Sequence, residues 1–239
     1  MPELLVSVRS VVEATAAVQG GCDIVDIKEP ANGPLGMADV DVIDSIVSKC
    51  RQLSSQPVSV ALGDVDEWPA ARILPVRLND CDYLKIGPGT LEQPNEWLQR
   101  LTDIQERFAA SRITHPCWIA ALYADRPLLS SITPSYLKSL RDAGFVGLMI
   151  DTAGKTGQSL LDAVSQEELR IFLQRCREAG LRIGLAGSLT LASIELLLSE
   201  GIRPDLFGVR SAACADHDRS GSVQEALVEQ LRVALVAHA

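Results

Sequence analysis

Aromatic side chains are scarce here, at 4% of residues, so a core has to be assembled from Ala, Val, Leu and Ile. Basic side chains are scarce too: 22 Lys and Arg stand against 31 Asp and Glu, for a formal net charge of −9. Uniform acidity removes any general attraction for nucleic acid or an anionic membrane surface. An anionic substrate would need a local cluster of cations working against the global field. No apolar run is long enough to cross a bilayer. The N-terminus, Met1-Pro2-Glu3-Leu4-Leu5-Val6, lacks a basic segment followed by a long apolar stretch and reads as a first strand, not a signal peptide. None of the six cysteines forms a Cys-x-x-Cys pair, and none of the three histidines has a second ligand at metal spacing. The expectation is a cytoplasmic protein with reduced, inert thiols, no metal and no external cofactor. No nucleic-acid or membrane partner is expected, and a homo-oligomer is left open.

The 47% apolar content is organised in short runs rich in Val, Ile and Leu. They are Leu4–Arg9, Ile24–Lys28, Val58–Gly63, Tyr83–Gly87, Trp118–Tyr123, Gly147–Asp151, Arg182–Ala186 and Leu206–Arg210. Helical patterns fill the gaps: Val11–Gln19, Val40–Arg51, Glu67–Asn79, Pro94–Ala110, Pro134–Ala143, Ser165–Ala179, Leu191–Ser199 and Val223–His238. Ser10, Asp39, Thr133 and Ser165 stand where helix caps belong. Eight strand–helix units in 239 residues predict one domain, residues 1–239, folded as a single-domain (β/α)8 TIM barrel. An open doubly wound sheet is the alternative, and it would more often show a Gly-x-Gly-x-x-Gly turn after the first strand. The turn here, Val8-Arg9-Ser10-Val11-Val12, has no glycine.

Only five basic residues are lysine, and three of them fall in or just after predicted strands: Lys28, Lys85 and Lys155. Strand side chains alternate with period two. With Val25 and Ile27 facing the helices, Asp26 and Lys28 point into the barrel. By the same rule Lys85, Asp151 and Arg9 point in, toward the carboxyl ends of the strands where barrel active sites lie. A lysine stripped of water must be paired or lose its proton, and a neutral lysine is a Schiff-base nucleophile. A structural layer of ion pairs is the bland reading, and for Asp26–Lys28 alone it weighs about as much as function. Three lysines and two aspartates at successive strand mouths tip the balance to catalysis. Gly154-Lys155-Thr156 is not a P-loop, because the leading glycine of that motif falls on Met149.

A second feature reads as a phosphate cradle. Gly187 and Ser188 follow the seventh strand and precede a helix, while Arg210 and Ser211 follow the eighth. Barrels bind phosphate between these loops through backbone N–H groups. Strand termination and helix capping alone would also explain Gly187 and Ser188. Asp216-His217-Asp218-Arg219 reads as a solvated loop, and Asp64 as a helix cap or a residue of the mouth.

These segments carry a family resemblance. Leu4-Leu5-Val6-Ser7-Val8-Arg9, Asp26-Ile27-Lys28-Glu29-Pro30 with Gly33-Pro34-Leu35-Gly36, Tyr83-Leu84-Lys85-Ile86-Gly87, Asp151-Thr152-Ala153-Gly154-Lys155 and Gly184-Leu185-Ala186-Gly187-Ser188 resemble the (5-formylfuran-3-yl)methyl phosphate synthase family, also called 4-(hydroxymethyl)-2-furancarboxaldehyde-phosphate synthase. The resemblance runs nearly the whole chain. It implies a (β/α)8 enzyme that condenses two molecules of glyceraldehyde 3-phosphate into a furan aldehyde phosphate, with loss of phosphate and water, for methanofuran-type one-carbon carriers. It further implies Lys28 as the Schiff-base lysine and Lys85 as the proton acceptor, with Asp26, Asp151 and Lys155 completing the cavity. The rival readings are a class I aldolase acting on another sugar phosphate and a non-catalytic barrel that binds phosphorylated metabolites.

Overall fold

A computed structural model describes residues 1–69, 76–154 and 158–238. Eight parallel strands close into a barrel in sequence order, with the last hydrogen-bonded to the first. They are β1 (Glu3–Val8), β2 (Ile24–Ile27), β3 (Val58–Asp64), β4 (Tyr83–Gly87), β5 (Cys117–Tyr123), β6 (Phe145–Asp151), β7 (Arg182–Leu185) and β8 (Leu206–Val209). Around them lie α1 (Val11–Gln19), α2 (Val40–Leu53), α3 (Pro94–Ala110), α4 (Pro134–Asp142), the single turn α5 (Leu160–Ala163), α6 (Gln166–Ala179), α7 (Leu191–Ser199) and α8 (Glu225–Ala237). The predicted (β/α)8 barrel is the observed fold. Among the described residues, no helix is long and apolar enough to cross a membrane.

Local chemistry sets the helix starts. The side chains of Ser10, Thr133 and Ser165 accept the backbone N–H three residues on, satisfying donors that the first turn leaves free. Asp39 occupies the cap position of α2 without such a bond.

The helix expected over 67–79 is not found among the described residues. Val65–Glu67 and Val76–Asp80 are 3-10 turns, and 70–75 lie outside the description. Trp68 Nε1 donates to Leu62 O at 2.8 Å, which folds the segment back on its own strand. Four of the ten aromatics meet in this sector. Trp68, Phe108, Trp118 and Phe145 form an edge-to-face row with centroids 5.2, 5.0 and 6.3 Å apart. All six cysteines are free and all but Cys117 are buried, with burial pushing the Cys22, Cys81 and Cys176 thiols up to about 12.

Two apolar layers follow from the strand period. Leu4, Val6, Val25, Ile27, Leu84 and Ile150 meet the helices. A separate inner layer contains Leu5, Ala61, Ala121, Tyr123, Met149 and Ala186. The small members of this inner layer leave room for the polar side chains that share it.

Candidate active site

Lys85 projects inward from the middle of β4. Its ladder neighbour on β3 is Ala61, whose methyl group leaves space for a long side chain. Lys85 Nζ lies 2.7 Å from Asp26 Oδ2, and the two side chains are 4% and 0% exposed. Ser7 lies opposite Asp26 in the β1–β2 register and donates its hydroxyl to the same oxygen at 2.9 Å. Burial opposes ionisation of Asp26. The charges of Lys85 and Lys28, with the hydrogen bonds from Lys85 and Ser7, outweigh it and hold the carboxyl below its usual range. A buried ion pair of this kind is maintained by close geometry and supporting hydrogen bonds.

Lys28 stands just past β2, its N–H still donating to Val8 O at 3.0 Å. Its Nζ lies 3.8 Å from Asp151 Oδ2, a looser contact than the Lys85 pair. The other oxygen of Asp151 accepts the Thr152 N–H at 2.8 Å. Burial lowers the Lys28 pKa; Asp151 opposes this, and the nearby Lys85 charge adds to the lowering. One cavity therefore holds a tightly paired lysine and a second lysine biased toward its neutral form. Lys155 lies outside the described residues. The segment leading to it is tethered by Asp125, whose two oxygens accept the N–H groups of Ala153 and Gly154 at 2.7 and 2.6 Å. Nothing in the sequence pattern marks Asp125 for that task.

Lys28, Lys85 and Asp151 line a cavity of about 390 Å³, a volume within the small-molecule range. Its wall between β7 and β8 is made of backbone. Gly187 and Ser188 take left-handed φ values of 98° and 52°. Successive residues of this kind turn their N–H groups into one concavity. The N–H groups of Gly187, Ser188, Leu189, Ser211 and Ala212 make no hydrogen bond among the described residues, and all five residues line the cavity. A β-carbon at Gly187 would sit 3.0 Å from Thr152 Cγ2, so glycine there serves both the φ angle and the close approach.

Two expected cations behave otherwise. Arg9 is exposed and does not line the cavity. β1 ends at Val8, Ser10 caps α1, and the Arg9 N–H donates to Glu13 Oε2 at 2.9 Å. The period-two extrapolation therefore fails at Arg9, where the chain turns at once into the α1 cap. Arg210 is buried at the cavity wall, but its guanidinium is committed. It donates to Ser7 O, Arg219 O and Gly221 O and forks onto both oxygens of Glu13. It is a strut and not a free phosphate ligand.

Asp64 both caps and faces inward. Its N–H donates to Glu67 Oε1, and its Oδ1 accepts the Tyr123 hydroxyl at 2.7 Å. A side chain at Gly87 would strike both partners of that last bond. His217 and Arg219, read as solvated, are part of the cavity wall. Their placement depends on a loop fold that local pattern does not encode.

A model of the 4-HFC-P synthase family matches residues 4–232. The (5-formylfuran-3-yl)methyl phosphate synthase of Methanococcus maripaludis (strain C5) is 34% identical over 236 residues, covering 95% of this chain and 97% of that protein. The enzyme of the same name from Methanosarcina mazei is 35% identical over 235 residues, covering 96% and 97%. Among solved structures, phosphoribosyl anthranilate isomerase from Thermus thermophilus superposes with a TM-score of 0.62 at 14% identity, over 99% of this chain and 100% of that one. That likeness speaks to the barrel alone. With a match running from β1 into α8, this chain belongs to the 4-HFC-P synthase family, a family of enzymes.

Proposed function

We propose that this protein condenses two molecules of glyceraldehyde 3-phosphate into (5-formylfuran-3-yl)methyl phosphate through a Schiff base on Lys28, in the synthesis of a methanofuran-type carrier. The observation that carries this reading is the unequal state of the two lysines in one cavity. Lys85 is locked to Asp26 at 2.7 Å, while Lys28 faces Asp151 at 3.8 Å with its pKa lowered.

A neutral Lys28 amine attacks the aldehyde carbon of one triose phosphate, and loss of water gives the imine. Deprotonation beside the imine gives an enamine. The enamine carbon attacks the aldehyde of the second triose phosphate. Loss of one phosphate, ring closure and dehydration complete the furan and free the amine. No net oxidation or reduction is involved. Lys85 is the proton acceptor through its pair: its ammonium passes a proton to Asp26 Oδ2 as the freed amine takes the one beside the imine, and Asp151 steers the Lys28 amine. Lys155 is a further member of the set on the strength of its motif. The uncommitted N–H groups of Gly187, Ser188 and Ser211 hold the retained phosphate, as oriented backbone donors do.

Incubation with glyceraldehyde 3-phosphate tests the reading directly. A furan chromophore appearing with inorganic phosphate is expected. Borohydride should trap an adduct that mass spectrometry maps to Lys28 and that Lys28→Ala lacks. A simple aldol adduct without phosphate release would replace the synthase with an aldolase, and failure to trap any adduct on the wild type would remove the Schiff base.

A further inference from the structure

The connection from β8 to α8 is a short excursion closed at its base. Cys214 and Val223 pair as an antiparallel bridge, and the Gln224 N–H donates to Ala213 O at 2.8 Å. The segment between them brings His217, Asp218 and Arg219 to the cavity. Arg210 fixes this excursion from below. Its Nε donates to Arg219 O at 2.7 Å and its Nη2 to Gly221 O at 3.1 Å. Glu13 anchors Arg210 in turn at 2.9 Å, with both side chains 5% exposed. Asp216 and His217 each hold φ at 54°, which costs a non-glycine residue about 1–2 kcal/mol and persists only in a tethered segment.

Among the described residues four cations line the cavity, and three have anionic partners. Lys85 is paired with Asp26, Lys28 faces Asp151, and Arg210 is paired with Glu13. Among the described residues the Arg219 guanidinium makes no ion pair and no hydrogen bond. The adjacent carboxylate does not neutralise it, because Asp218 turns one oxygen to the Ser220 N–H at 2.9 Å and the other to the Ser220 hydroxyl at 2.6 Å. The Arg219 charge is nonetheless felt at the Lys28 ammonium, where it adds to the lowering of the pKa.

We propose that Arg219 forms a second phosphate subsite of this cavity, separate from the backbone cradle at Gly187, Ser188 and Ser211, and that it receives the phosphate of the second triose phosphate. This rests on the triose-phosphate reading above. Two phosphorylated substrates bring two phosphates into one cavity. A cradle of N–H groups holds one. In a chain of net charge −9, the other calls for a full cation with no competing partner. A guanidinium presents a planar fork that matches phosphate oxygens two at a time.

Calorimetric titration of inorganic phosphate into the whole protein separates the two ideas. The wild type should bind phosphate at two sites. Arg219→Gln, on an accessible loop, should lose one of them, and Arg219→Lys should retain it with weaker affinity. With glyceraldehyde 3-phosphate as substrate, Arg219→Gln should raise KM by about 10- to 100-fold, as expected for losing a charged hydrogen bond. An isotherm for Arg219→Gln that superimposes on the wild type, or a wild type with no phosphate site dependent on Arg219, overturns the proposal. A wild type that binds two phosphates, loses one in Arg219→Gln and still makes no furan keeps the subsite and overturns the synthase reading instead.

Discussion

Lys85 and Asp26 meet at 2.7 Å inside the barrel although they arrive from β4 and β2, strands separated by the whole of β3. Neither has an alternative partner of opposite charge as close, and neither has appreciable access to water. The pair therefore ties the catalytic proposal to the integrity of the barrel.

Truncating one member should destabilise the protein as well as inactivate it. Lys85→Met leaves Asp26 buried and unpaired, for a loss of about 3–5 kcal/mol. In a domain of this size that is a fall in Tm of roughly 6–20 °C. The double variant Asp26→Asn with Lys85→Met should recover most of that stability in scanning calorimetry but not turnover. Lys85→Ala should still allow some borohydride trapping at Lys28 while turnover falls by about 10²- to 10⁴-fold. Turnover equal to wild type in that variant would remove Lys85 from the mechanism.

The lowered pKa of Lys28 has a definite sign in pH experiments. Below its folded pKa the buried ammonium is a full penalty relative to the unfolded chain, where a lysine titrates at about 10.5. Stability should rise with pH between the lowered folded value and 10.5, because the unfolded state binds more protons there. Lys28→Met should lack that rise in denaturant melts taken across the alkaline range. Imine trapping in the wild type should gain its rate as pH passes the same lowered value, at a lower pH than a solvated lysine needs. Asp26 acts at the other end. Its depressed pKa contributes stability present above 3.8 and lost as pH falls through the folded value.

Gly187→Ala should damage the cradle and spare most of the fold. The new methyl would meet Thr152 Cγ2 at 3.0 Å and hold a φ of 98° that L-residues avoid. A stability loss of about 1–2 kcal/mol is expected. KM for the phosphorylated substrate should rise by more than KM for any unphosphorylated aldehyde the enzyme accepts. Equal rises for both would show that the effect is steric and does not involve phosphate.

Much of this site is legible because strands obey a simple rule. Placing Val25 and Ile27 against the helices forces Asp26 and Lys28 inward, and the same alternation turns Lys85 and Asp151 to the inside. Past a strand's end the rule holds only while the chain keeps its ladder: Lys28, one residue beyond β2, still donates its N–H to Val8 O and lines the cavity. Arg9, one residue past β1, leads into the Ser10 cap of α1, and its exposed side chain does not line the cavity. The helix expected over 67–79 is not found among the described residues, for a related reason. Trp68 is held to Leu62 by a tertiary choice of packing, and residues around it form 3-10 turns despite an apolar pattern.

From the chain alone came the alternation of strand and helix, the inward face of each strand, and the motif residues that mark the family. These depend on contacts between near neighbours and on side-chain period, which any reader of the sequence can count. Which charge satisfies which was decided only by closure of the barrel. Closure sets β8 beside β1, so Arg210 spends its guanidinium on Glu13, 197 residues earlier, and carries the loop that brings Arg219 to the mouth without an ion pair among the described residues. Electrostatic partnership depends on distance in space, and distance in space across a barrel bears no relation to distance along the chain.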